Sequence, residues 1–243
     1  MKILITGASG GIGKNITEYL VKKNEVVAFI RNKNKSSSFK LDINNINLKV
    51  ISVDVSSVEE VKNSISKLEG IDALVNCAGV PGPVGKLLDN DLNEWKNTID
   101  VNLVGNVYCC YFALPLLLKS RRGKIINFAG GGSAYPRPFH TAYGVSKTAM
   151  VRFTETLALE YPKVDVNVIA PGVYKTNMWI KQKNAKEPEV WGDIQRLKKL
   201  INFLISAKSD NITGKFIHYK DNWENLNTNK MSNDFYTLRR LEN

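Results

Sequence analysis

The chain has 243 residues, of which 43% are hydrophobic and 9% aromatic, enough apolar material to close one sizeable core. With no Pro/Ser/Gly-rich linker it reads as a single domain over residues 1–220 followed by a polar tail, 221–243. The net charge of +11 sits in RNKNK, KSRRGK, KQKNAK and RLKK without interleaved aromatics; this argues against nucleic acid and leaves a lysine-rich solvated surface or attraction for an anionic ligand.

Met1 and Lys2 lead straight into ILIT, which is strand-like rather than a signal peptide. The longest apolar run, VYCCYFALPLLL at 107–118, is too short to span a bilayer, so no membrane association and a cytoplasmic location are expected. Seven short, apolar or β-branched runs follow in order: KILIT (2–6), EVVAFI (25–30), LKVISV (48–53), IDALV (71–75), KIINF (124–128), VDVNVIA (164–170) and KFIHY (215–219). Helix-length segments separate most of them. Near-continuous apolar strands need cover on both faces, which right-handed βαβ crossovers supply. The fold class is therefore α/β, a doubly wound parallel seven-stranded sheet with helices on both faces. Residues 32–47 are polar and irregular, a connection without element periodicity. Cys77, Cys109 and Cys110 are odd in number and lack ligand spacing, which favours buried reduced thiols and no metal site.

The first strand runs into TGASGGIG, residues 6–13, and a helix begins at once. Gly7 permits the tight turn, Gly11 lets backbone approach a pyrophosphate, and Gly13 permits close helix–strand packing. The helix N-terminus then offers free N–H groups and a positive dipole end to phosphate.

Four segments in order now resemble the short-chain dehydrogenase/reductase family, in its short form. They are Thr6-Gly7-Ala8-Ser9-Gly10-Gly11-Ile12-Gly13, Asn76-Cys77-Ala78-Gly79 after the fourth strand, Tyr143-Gly144-Val145-Ser146-Lys147, and Pro171-Gly172-Val173-Tyr174-Lys175-Thr176 after the sixth. The resemblance implies a Rossmann-like fold and a dinucleotide held by Gly7, Ser9, Gly11, Ile12, Gly13, Asp54, Val55, Asn76, Ala78, Gly79, Tyr143, Lys147, Pro171, Gly172, Val173 and Thr176. By the same resemblance Asp54 accepts a hydrogen bond from the adenine amino group, although a helix-capping role fits it as well. Where NAD-preferring relatives carry Asp, this chain has Ile30 followed by Arg31. An Arg there accommodates a 2′-phosphate, so NADP(H) is favoured and NAD(H) stays possible. The plain alternative is that Arg31 begins a solvated loop.

Tyr143 and Lys147 are four apart in a segment of helical periodicity, which puts both on one face. A phenol with its usual pKa of about 10 is a weak base at neutral pH; a neighbouring ammonium favours the phenolate and lets the pair exchange a proton with a carbonyl or alcohol oxygen. The resemblance assigns Tyr143, Lys147 and Asn102 to catalysis, with Asn102 holding a water that links the lysine to solvent. A buried amide satisfied by backbone is the structural alternative for Asn102. One part is missing: relatives place a Ser at the position occupied here by Gly130, and the nearest downstream hydroxyl is Ser133. Gly130 and Ser133 are the candidate substrate-side residues, because a Gly-Gly-Gly run can bring backbone N–H groups or Ser133 toward a substrate oxygen.

The whole reads as an NADP(H)-dependent oxidoreductase interconverting a carbonyl and an alcohol in a small-molecule substrate, with the lysines of residues 176–199 suited to an anionic one. The alternative is a catalytically degenerate dinucleotide-binding sensor or scaffold. Residues 176–199 correspond to a substrate lid. His140 reads as a loop or subunit contact. Apolar residues round more than one face of the helix at about 95–119, with a second helix at 142–160, predict a homotetramer or dimer.

Overall fold

The computed structural model describes residues 1–32, 46–180, 188–226 and 236–239. Seven strands form one sheet in which every pairing is parallel: β1 (Lys2–Thr6), β2 (Glu25–Ile30), β3 (Leu48–Ser52), β4 (Ala73–Asn76), β5 (Gly123–Phe128), β6 (Val164–Ala170) and β7 (Phe216–His218). Their order across the sheet is β3-β2-β1-β4-β5-β6-β7. The order turns back on itself between β1 and β4, so the space beyond the carboxyl ends of these strands is the natural ligand crevice of a doubly wound sheet. The Rossmann-like expectation holds, and each strand lies within two residues of its predicted bounds.

The helices divide between the two faces because each central strand is buried on both sides. α1 (Gly11–Leu20) and α7 (Ile194–Ile205) cover one face, packing Ile16, Leu20, Leu200 and Leu204 on Ile3, Ile5 and Ala28. α2 (Val58–Ile65), α4 (Gly105–Leu117) and the end of α5 (Thr141–Glu160) cover the other, with Val61, Cys109, Leu117 and Leu157 on Leu4, Leu74 and Ile125. Ser57 caps α2 by accepting from Glu60 N, and Asp193 caps α7 by accepting from Gln195 and Arg196 N. A four-residue α6 (Asn177–Ile180) follows the β6 loop.

α3 (Leu92–Ile99) continues into α4 through a π-helical segment, Asp100–Val104. The 26-residue run Leu92–Leu117 is long and apolar enough to cross a membrane by length and composition. Here it lies along the sheet and buries Cys109, Cys110, Ala113 and Leu117 in the core. The three cysteines are free thiols. Burial pushes the thiols of Cys77 and Cys110 up to about 12 and that of Cys109 higher still, so none is a thiolate at neutral pH.

At the floor of the sheet Lys124 is 2% exposed and holds Asp165 at 2.7 Å and Asp210 at 2.8 Å, with Arg122 also on Asp165. Part of the predicted tail returns to the domain. Phe216 N donates to Tyr236 O, Leu238 N donates to Glu155 Oε1, and Leu238 packs on Ala129, Val151 and Val168.

Candidate functional site

The glycine loop closes as its spacing requires. Gly7 has φ +64°, and a Cβ there would lie 2.7 Å from Ala78 Cα, so the turn passes against the β4 loop with no room for a side chain. A Cβ on Gly13 would collide with Gly7 O, which is the close packing expected at that position. Thr6 Oγ1 accepts from Ala78 N at 3.0 Å and fixes the two loops together. α1 starts at Gly11 with no side-chain cap and no acidic residue in its first turn, which leaves its N–H groups and positive dipole end directed into the crevice.

That crevice is a cleft of about 280 Å³. Gly7, Ser9, Gly11, Ile12, Gly13, Gly79, Tyr143, Lys147, Pro171 and Thr176 line it together, although they come from three separate loops and two helices. Cys77, Phe128, Ala129, Asn177 and Met178 line it as well, and nothing in their residue types marked them. A neighbouring cavity of about 560 Å³ shares Tyr143 and adds Gly130, Gly131, Gly172, Val173, Arg137, His140 and Trp179.

The other expected residues stand elsewhere. Asn76 is 1% exposed and donates to Asn127 Oδ1 at 2.9 Å and toward Cys110 Sγ at 3.2 Å, beneath the cleft. Ala78 is buried against Gly7. Asp54 Oδ1 accepts from Ser56 N and Oγ in a tight local turn, while Ser57 takes the capping position. Val55 is buried under α4, its carbonyl against Gly105. Arg31 is exposed at the carboxyl end of β2, and the connection that would flank it falls at 33–45, outside the described residues. Of the expected lid, 181–187 also lies outside them.

Tyr143 and Lys147 share a face of α5, with Lys147 Nζ 5.9 Å from the phenol ring centroid. Nζ donates to Phe128 O at 3.0 Å. Burial lowers the Lys147 ammonium to about 8. Burial also raises the Tyr143 phenol, and the positive charge opposing that rise is Arg137. The cation expected from sequence to act on the phenol is Lys147, at that 5.9 Å; the guanidinium of Arg137, in a loop that the sequence did not mark, is a further positive charge opposing the rise.

Asn102 lies within the π-helical segment and is fully buried. Its Oδ1 accepts from Val80 N at 2.7 Å, and Nδ2 donates to Val80 O at 2.9 Å and toward Ser146 Oγ at 3.2 Å. The amide therefore joins the β4 loop, the long helix and α5. A π-turn is a costly local geometry that recurs at functional sites, and this one aims Asn102 at the loop beside Lys147. A Cβ on Gly79 would lie 3.2 Å from Asn102 Oδ1 and 3.7 Å from Lys147 Nζ.

Gly130 is occupied space rather than a gap. A Cβ there would lie 2.5 Å from the Tyr143 hydroxyl oxygen. Ser133 is 2% exposed; its Oγ accepts from Gly130 N at 3.0 Å and donates to Gly130 O at 2.8 Å. Its proton is thus committed to the glycine loop. The N–H groups of Gly131 and Gly132 make no hydrogen bond among the described residues.

The sequence and the fold are similar to those of known proteins. Residues 1–187 match the short chain dehydrogenase family model. An uncharacterized oxidoreductase of Schizosaccharomyces pombe is 29% identical over 237 residues, 90% of this chain and 96% of that protein. An 11-beta-hydroxysteroid dehydrogenase-like protein of Arabidopsis thaliana is 33% identical over 185 residues, 72% of this chain but 60% of the plant protein. A Shigella flexneri short chain dehydrogenase, solved in complex with NADP, superposes with a TM-score of 0.84 at 24% identity, over 90% of this chain and 97% of that one. With the family model matched over residues 1–187 and a seven-stranded parallel sheet beneath the cleft, the chain belongs to the short-chain dehydrogenase family of oxidoreductases.

Proposed function

We propose that the chain is an NADP(H)-dependent oxidoreductase that interconverts a carbonyl and an alcohol, with Tyr143 as general acid and base. The observation that carries this reading is one cleft in which the uncapped N-terminus of α1 and the Tyr143–Lys147 pair face the same space. The residues fit a dinucleotide: a Cβ at Gly7 would run into Ala78 and one at Gly13 into Gly7 O, so the turn can be this tight only with glycine, while beside Gly10, which lines the cleft, there is open space. Gly11, Ile12 and Gly13 N–H groups would face the pyrophosphate, Lys147 the ribose hydroxyls, and Thr176 and Pro171 the nicotinamide end. Arg31 would pair with a 2′-phosphate. The bound nicotinamide supplies or takes up the hydride.

Tyr143 holds its proton at neutral pH because burial raises its pKa, which suits donation to the oxygen of a carbonyl being reduced. Lys147 is anchored by Phe128 O, which fixes its reach along the cleft. Asn102 positions both by clamping α5 to the β4 loop through Ser146 and Val80. With no side chain at residue 130 the Tyr143 hydroxyl packs directly on the loop, and Gly131, on the wall of the cavity that shares Tyr143, would offer its N–H to the substrate oxygen. Ser133 keeps that loop in shape. The reading includes assembly through α4 and α5, where Tyr111 is 69% and Leu159 85% exposed.

The test is direct. NADPH should bind with enhanced fluorescence and be consumed with some member of a carbonyl panel, and Tyr143→Phe should bind it equally and consume none. No NADPH or NADH binding, or full turnover by Tyr143→Phe, contradicts the reading.

A further inference from the structure

Between α3 and α4 the chain carries one residue more than a continuous α-helix would need. Gly105 N donates to Asp100 O, five residues back, in place of the Val101 O that α-helical bonding would offer it. Val101 O thereby loses its ordinary donor. One residue is also about 100° of rotation in an α-helix. Cys109, Ala113 and Leu117 fix the rotation of α4 in the core. Gly105 fixes its approach, because a Cβ there would lie 2.7 Å from Val55 O. With α4 so held, relaxing the π-turn to α-helical spacing would swing Asn102 away from Val80 and Ser146, the groups it now bonds.

Asn106 is the side chain set against that turn. It is 1% exposed. Its Nδ2 donates to Asn102 O at 2.8 Å and lies 3.5 Å from Val101 O and 3.4 Å from Ala78 O. One amide thus serves both carbonyls at the turn and reaches the β4 loop as well. Asn102 grips the same loop two residues further on, through Val80 N and O. Between those two anchor points stands Gly79, where a Cβ would lie 3.7 Å from Lys147 Nζ. Packing alone would favour an apolar side chain at 106, because Asn106 Oδ1 is buried without a partner among the described residues. The N–H groups are what the amide contributes.

We propose that Asn106 is a positioning residue for proton transfer: its Nδ2 donors hold the π-turn open and so keep Asn102 against Val80 and Ser146, beside Lys147. Asn106 lines neither the cleft nor the cavity that shares Tyr143, and it acts through Asn102. This rests on the oxidoreductase reading above, which gives Asn102 its place at the site, and adds the residue that keeps it there. The donor can be separated from the shape. A threonine hydroxyl in a helix donates to the carbonyl four residues back, which from position 106 is Asn102 O. Valine has nearly the same shape and no donor.

The experiment compares Asn106→Thr with Asn106→Val in the purified full-length chain. With a carbonyl compound that the wild type reduces, Asn106→Val should lower kcat by about 10- to 100-fold, the scale of a displacement of about 1 Å at a reacting centre. KM for NADPH should stay within about threefold, and Asn106→Thr should return kcat to within about threefold of wild type. Hydrogen exchange gives a readout that needs no substrate. The Val80 amide donates to Asn102 Oδ1, so its exchange should quicken by about 10-fold or more in Asn106→Val and not in Asn106→Thr, while the strands of the sheet keep their protection. Equal kcat in the two variants overturns the proposal, as does Val80 exchange that is the same in both. Exchange that quickens throughout the sheet in Asn106→Val also overturns it, by marking a residue that serves stability alone. Should Asn106→Val fail to fold, Asn106→Ser against Asn106→Ala makes the same comparison. A wild-type chain that reduces no carbonyl counts against the oxidoreductase reading instead, and Val80 exchange then decides whether Asn106 holds Asn102.

Discussion

The Tyr143 hydroxyl occupies the space that a side chain on Gly130 would need, 2.5 Å from its Cβ position. The glycine and the tyrosine are therefore one packing unit. Where a serine would have projected toward the substrate, this chain brings the phenol itself down onto the loop.

Gly130→Ala tests this without adding a hydroxyl. The new methyl must push the phenol aside, and a shift of about 1 Å in a reacting group costs on the order of 100-fold in rate. A drop in kcat of at least about 10-fold is expected, with Tm within a few degrees of wild type because the tyrosine tip can yield. Gly130→Ser should do no better than Gly130→Ala. Higher activity in Gly130→Ser would show that the phenol is not held there.

Tyr143→Phe deletes the transferable proton and little else. Turnover should fall by about 100-fold or more, while the NADPH titration curve stays where it was, since the ring still lines the cleft. Ser133→Ala should lower Tm, by an amount corresponding to about 1–3 kcal/mol, because Gly130 N and O lose their shared partner.

Lys147 carries a stability cost with a defined pH window. Its ammonium is lowered to about 8 in the folded chain, against about 10.4 unfolded. Between those values the unfolded chain binds more protons, so stability rises with pH across that window and the cost is fully present below pH 8. Lys147→Met should therefore raise stability at pH 7 by roughly 1–3 kcal/mol, with the gain shrinking toward pH 10, while NADPH binding weakens. Thermal melts at pH 7 and pH 10 check the sign.

Arg31→Ala should weaken NADPH about 10- to 100-fold and NADH hardly at all, because only the first carries the 2′-phosphate. Equal losses, measured by equilibrium titration of both, would show that Arg31 is part of the solvated loop.

Tyr111 stands edge-on to Phe112, their ring centroids 5.0 Å apart, on the outer face of α4. Tyr111→Asp should convert a dimer or tetramer to monomer in light scattering at micromolar concentration. A wild-type chain that is already monomeric removes the assembly reading.

The sequence by itself determined the sheet and the glycine loop. Strands buried on both faces have to be near-continuous apolar runs, and a turn that passes 2.7 Å from another backbone has to be glycine, so both constraints are written residue by residue. The face shared by Tyr143 and Lys147 was equally legible, because helical spacing alone sets it. Strand order was not, since nothing in β4 records that it pairs with β1 rather than β3. Nor was the environment of the pair. Arg137 reaches Gly131 from a loop that passes through Gly132 at φ +97° and Phe139 at φ +66°, a path without periodicity. Asn102 depends on a π-turn that has the same residue spacing as an ordinary helix on the page. Ser133 is consumed by Gly130 only because the loop folds back on itself. Local rules fix which residues can stand in a strand, a turn or one helix face; which charge meets which oxygen is decided by long-range packing, and here that packing set Arg137 and Gly130 around Tyr143.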